Sequence, residues 1–102
     1  MAVVEKIYPL PPEFLLNAIY DVAEMRKAKV TRVSDDELEM MTEMYQFKTI
    51  YRFRLERGSY DVKLSVDSDG EDESALRDVE FMFTILDGLV SQITGSVKSS
   101  GG

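Results

Sequence analysis

Residues 75–93, Ala75-Leu76-Arg77-Asp78-Val79-Glu80-Phe81-Met82-Phe83-Thr84-Ile85-Leu86-Asp87-Gly88-Leu89-Val90-Ser91-Gln92-Ile93, decide the fold. Leu76, Val79, Phe83, Leu86, Val90 and Ile93 recur at spacings of 3, 4, 3, 4 and 3, the period of one helix face. Met82, Ile85 and Leu89 widen that face. A rod this apolar along one side must lie against another layer. Gly95 follows as a C-terminal cap signal. The pattern therefore predicts one domain over 1–94 and a flexible Gly/Ser-rich tail over 95–102.

Upstream the period changes from helix to strand. Tyr60, Val62, Leu64 and Val66 alternate with Asp61, Lys63, Ser65 and Asp67. Tyr51, Phe53 and Leu55 alternate with Arg52, Arg54 and Glu56. Gly58-Ser59 lies between them as a tight turn, so the pair reads as a hairpin. Glu37–Phe47 alternates over its first half, and Lys27–Ser34 carries Val30 and Val33; Ser34-Asp35-Asp36 turns the chain between them. Ala2–Tyr8 is rich in β-branched residues and reads as a first strand. Pro9, Pro11 and Pro12 stop it, with Pro12 at a first helical position and Glu13 complementing the helix dipole. Phe14, Leu15, Ala18, Ile19 and Val22 then share a helix face that runs to about Met25. The order β-α-β-β-β-β-α predicts an α+β fold: an antiparallel sheet of about five strands covered by a long C-terminal helix.

With 102 residues the chain has room for a single domain. It contains no Cys and no His, which excludes zinc fingers, disulfide scaffolds and catalysis through imidazole or thiol. Its 12 basic and 19 acidic side chains leave a net charge of −7, which argues against a nucleic-acid backbone as partner. Neither a signal peptide nor a membrane-spanning stretch is evident, and a cytoplasmic location is expected. The expectation is a protein without cofactor or metal.

Three chemical constellations read more simply as structure. The acidic loop Asp67-Ser68-Asp69-Gly70-Glu71-Asp72-Glu73 fails the calcium-loop register: Asp67 as first residue puts Asp72 sixth, and Ser65 as first puts Leu76 twelfth. Turn formation and helix capping by Asp72, Glu73 or Ser74 account for it. The basic sets Arg26, Lys27, Lys29, Arg32 and Lys48, Arg52, Arg54, Arg57 are matched by Glu37, Glu39, Glu43, Glu56 and Asp61, as expected of cross-strand ion pairs. Catalysis is poorly supported. Asp35-Asp36 and Glu71–Glu73 lie on turns in solvent, and Tyr8, Tyr51 and Tyr60 are expected to pack with their hydroxyls at an edge.

The apolar set carries the functional expectations. Six Met and ten aromatic side chains fall mainly on the later strands and last helix, among them Met40, Met41, Met44, Tyr45, Phe47 and Phe81. Such side chains adapt to variable apolar guests. One expectation is a small apolar-ligand pocket between sheet and helix. The other is a homodimeric or adaptor interface through the last helix and an edge strand, since Phe81 lies off the main stripe. Gly88 inside the helix costs roughly 1 kcal/mol against Ala and would be explained by close approach of another element.

Glu5-Lys6-Ile7-Tyr8 followed by Leu10-Pro11-Pro12-Glu13-Phe14-Leu15-Leu16-Asn17-Ala18-Ile19-Tyr20-Asp21-Val22 resembles the opening of the START/Bet v 1-like (helix-grip, SRPBCC) superfamily. In that superfamily a first strand leads into a short helix, then antiparallel hairpins and a long C-terminal helix. Its members usually have seven strands and a second short helix, against five strands and one early helix here. The resemblance implies non-enzymatic binding of a small hydrophobic ligand, with Tyr51, Phe53, Tyr60, Val62, Met82, Phe83 and Leu86 facing a cavity. It carries no catalytic residue across. Leu76-Arg77 at the start of the last helix also resembles small dimerising subunits of the Pcc1 type.

Overall fold

The computed structural model describes residues 2–44, 47–69 and 73–101. Tyr45 and the Gly70-Glu71-Asp72 part of the acidic loop lie outside the described residues. Five strands, β1 (Ala2–Tyr8), β2 (Lys29–Ser34), β3 (Glu37–Met44), β4 (Phe47–Arg57) and β5 (Val62–Ser68), form one antiparallel sheet. Their spatial order is β1-β5-β4-β3-β2, so the first two strands in the chain form the two edges. Helix α1 (Pro12–Met25) connects these edges, and α2 (Glu73–Gly101) follows β5. The architecture is α+β, in the element order that the hydrophobic periods predict.

Period-2 alternation divides the sheet into two unlike faces. Leu38, Met40, Tyr51, Phe53, Leu55, Val62, Leu64 and Val66 are buried against the helices. The register explains why they share a face: Leu38 lies opposite Phe53, Phe53 opposite Val66, and Leu55 opposite Leu64. The alternate residues face outward and form ion pairs: Arg52–Glu39 (3.7 Å), Arg54–Glu37 (3.5 Å) and Lys63–Glu5 (3.2 Å). Arg57–Asp36 (2.7 Å) closes the end of β4. These exposed pairs are screened by solvent and add little stability, and they occupy most of the second basic set.

Helix α1 starts at Pro12 as its sequence predicts, with Pro11 extended before it (φ −63°, ψ 146°). Leu15, Ala18, Ile19, Val22 and Ala23 are buried. Phe14, placed on that face by its spacing, is 44% exposed: the buried stripe is centred between 15 and 22, and Phe14 falls beyond its margin. The helix ends in a Schellman arrangement, with Ala28 N–H donating to Ala23 O (2.8 Å) and Lys27 N–H to Glu24 O (3.1 Å). Lys27 adopts φ 53° to make it, so β2 starts at Lys29 rather than Lys27.

The hairpin between β4 and β5 has a four-residue loop, Gly58–Asp61, rather than a two-residue turn, because Arg57 pairs with Val62. Gly58 N–H donates to Asp61 O (2.8 Å), and a Cβ at position 58 would collide with the Asp61 carboxylate. A side chain at position 58 would therefore require the Asp61 carboxylate to turn away. Phe47 begins β4 and does not end β3, in phase with the alternation that follows it.

Helix α2 is continuous across the sheet. Ala75, Val79, Met82, Phe83, Leu86 and Val90 are buried. Leu76, which the sequence assigns to this stripe, is 39% exposed; Ala75 and Met82 set the phase of the inward face instead. The helix passes Gly95, where the sequence marks its end, and runs to Gly101; a single glycine weakens a helix without breaking it. Among the described residues no element approaches Gly88: a Cβ added there would meet nothing within 4 Å, so the expected close contact is absent. Gly88→Ala is expected to stabilise the domain by about 1 kcal/mol, read as a rise in the urea midpoint. A fall in the midpoint would show that position 88 needs glycine for a reason other than space.

Candidate ligand-binding site

Six of the seven predicted lining residues come together. Tyr51, Phe53, Val62, Met82, Phe83 and Leu86 meet between the sheet and α2, each no more than 6% exposed. They form part of a single apolar cluster with Leu15, Ile19, Leu38, Met40 and Leu64. All six are shut off from solvent within that cluster. Tyr60 does not join them. The longer loop moves it out of β5, and it is 93% exposed.

Two tyrosines tie this layer to α2 by their hydroxyls. Tyr8 donates to Asp87 Oδ1 (2.9 Å), and Lys6 pairs with Asp87 Oδ2 (2.5 Å). Tyr51 donates to Asp78 Oδ2 (2.5 Å), while Arg26 approaches the same carboxylate (3.7 Å) and lies 5.9 Å from the Tyr51 ring centre. Burial, then the bond to a carboxylate, raises both hydroxyls; Tyr51 is pushed up to about 12. A hydroxyl held protonated this firmly is a poor general acid near neutral pH, so these tyrosines pack and anchor. Arg26 Nη1 is sealed from water with no hydrogen-bond partner.

Sequence reasoning misses Asp78 and Asp87 as anchors. A signal is present: Asp87 lies within the most apolar decade of the chain, 81–90, where a carboxylate needs a partner.

A cavity of about 360 Å³ opens elsewhere, at the end of the sheet where β1 passes into α1. Its walls are Pro9–Pro12 on one side and the Gly58–Asp61 loop on the other. The pairing of Tyr8 with Val62 brings these two segments together, since each directly adjoins that pair. Leu10, 8% exposed, lines the cavity and belongs to the core cluster, so it is the floor between the two. Three prolines fix one wall by their ring-locked φ. Gly58 and its bond to Asp61 hold the other. Two smaller hollows, about 220 and 160 Å³, lie on the open sheet face among its charged side chains. None of the three lies between the sheet and α2.

The outward side of α2 has no continuous apolar stripe among the described residues. Phe81 (57% exposed) and Leu76 are set among exposed Arg77, Glu80, Thr84 and Gly88. Among the described residues no group of three acidic side chains is placed to hold a metal ion, and no helix is long and apolar enough to cross a membrane.

No family model and no curated protein sequence matches the chain. Among solved structures, one titled "Crystal structure of Ara h 8.0201" is similar at a TM-score of 0.48 and 14% identity, over 88% of this chain and 96% of that one. That likeness is one of outline, and no residue role comes with it.

Proposed function

We propose that the chain binds a small, largely apolar molecule without transforming it, and receives it in the cavity between Pro9–Pro12 and Gly58–Asp61. The observation that carries this reading is the cavity itself. Its volume of about 360 Å³ falls within the range of small-molecule sites, roughly 300–1,000 Å³. Its walls are apolar for the most part and held in place by prolines and a hydrogen-bonded loop, so little order has to be gained on binding. Asp61 is the one ionisable carboxyl among its lining residues. The residues beneath α2, to which the superfamily resemblance assigns the ligand, are closed to solvent, whereas this cavity is open to it.

Titration with benzyl alcohol, followed by amide chemical shifts, tests this. Saturable shifts are expected at Leu10 and over Gly58–Asp61. Ser59→Trp, which places an indole on the exposed loop at the cavity wall, should abolish them while the remaining spectrum is unchanged. Shifts confined to residues under α2, or none that saturate, would transfer the function elsewhere.

A further inference from the structure

We propose that the ligand of this cavity carries a protonated or quaternary amine beside its apolar body, a reading that rests on the cavity being the binding site. Four observations converge on a cation. The lining contains one charged side chain, Asp61, and no lysine or arginine. Tyr60 lines the same cavity and presents its ring to solvent, 93% exposed. An aromatic face attracts a cation, and a carboxylate in the same lining adds the attraction of its charge.

The second observation concerns the start of α1, which forms part of the wall. A helix N-terminus ordinarily favours anions through its free N–H groups. Here Pro11 and Pro12 have none, and Phe14 N–H donates to Pro11 O (3.2 Å). Glu13 adds a negative charge in the same turn. The anion-binding capacity of this terminus is therefore largely removed.

Third, the basic group next to the loop is already engaged. Arg57, directly before it, pairs with Asp36 at 2.7 Å, and Asp35 and Glu13 also act on its charge. Asp36, Asp35 and Glu13 thus act on the Arg57 guanidinium, while the Arg32 guanidinium is held by the backbone oxygens of Ser34 (2.9 Å) and Asp35 (2.8 Å). Fourth, the apolar floor at Leu10 and the proline wall require that the cation be attached to an apolar group and not be a hydrated metal ion.

Three probes of one shape separate the possibilities: benzylamine, benzyl alcohol and benzoate, titrated into the intact chain near neutral pH. Benzylamine, protonated there, is expected to bind about tenfold tighter than benzyl alcohol, and benzoate weakest, from a cation–aromatic contact plus an exposed ion pair. Asp61→Asn should remove most of that preference while the loop keeps its shape, because the turn is held by the Asp61 backbone oxygen. Tyr60→Leu should weaken benzylamine more than benzyl alcohol. Raised salt should shrink the preference. Equal binding of the amine and the alcohol, or a preference that survives Asp61→Asn, overturns the proposal and leaves the apolar site standing. Failure of all three probes to shift Leu10 and Gly58–Asp61 overturns the site as well.

Discussion

Phe53→Ala is expected to cost about 3–5 kcal/mol, the range for removing a fully enclosed aromatic ring from a core that cannot collapse around the void. Phe53 is 0% exposed on the central strand β4, opposite Leu38 of β3 and Val66 of β5, both also 0% exposed. Domains of this size are stable by about 5–15 kcal/mol, so the variant retains a fraction of the original margin. Its melting temperature should fall on the order of 20 °C, measured by circular dichroism. Tyr60→Ala, in the exposed loop, should shift it little. The comparison also bears on where a ligand sits. A loss under about 1 kcal/mol at Phe53 would mean that space already surrounds the ring beneath α2, and the assignment of the ligand to the rim would fail.

The periods of the sequence carry the fold because each strand buries only one face. Tyr51, Phe53 and Leu55 can be placed together on alternation alone, and Arg52 and Arg54 opposite them. Helix phase is less legible. Leu76 and Phe14 fit apolar periods but sit at the margins of their stripes, where burial depends on which neighbour is present rather than on spacing. The loop Gly58–Asp61 is longer than the turn that Gly58-Ser59 suggests, which is why alternation assigns Tyr60 to a face it does not occupy. The rim cavity is illegible for a further reason. Pro9–Pro12 and Gly58–Asp61 are distant in sequence, and only the antiparallel register of β1 with β5 joins them. No composition rule encodes that pairing. The Arg26–Asp78–Tyr51 cluster shares this origin, since it joins the end of α1, the start of α2 and the middle of β4.

The second large effect is alkaline. Tyr8 and Tyr51 both hold their protons more tightly in the folded chain, through burial first and then through the carboxylates of Asp87 and Asp78. In the unfolded chain each titrates near pH 10, roughly the value of a free tyrosine. Their contribution to stability is thus fully present below about pH 10 and is lost as pH rises through the folded values, because the unfolded state then releases protons that the folded state retains. Tyr51, pushed up to about 12, accounts for about 1–2 kcal/mol between pH 10 and 12 once solvent screening at its half-exposed partner Asp78 is allowed for. Tyr8, raised further, falls along the same slope and continues beyond it. Together the two losses remove a large part of the margin of a small domain, so urea midpoints should decline steeply above about pH 10. Tyr51→Phe supplies the discriminating measurement. It removes one hydrogen bond, a cost of about 1 kcal/mol at neutral pH, and removes the titrating proton with it. The variant should therefore be less stable than the parent near pH 7 and more stable above roughly pH 11, the two stability curves crossing between. Curves that stay parallel from about pH 7 to 12 would mean that the Tyr51 hydroxyl ionises as freely folded as unfolded, and that its bond to Asp78 does not anchor α2 to the sheet.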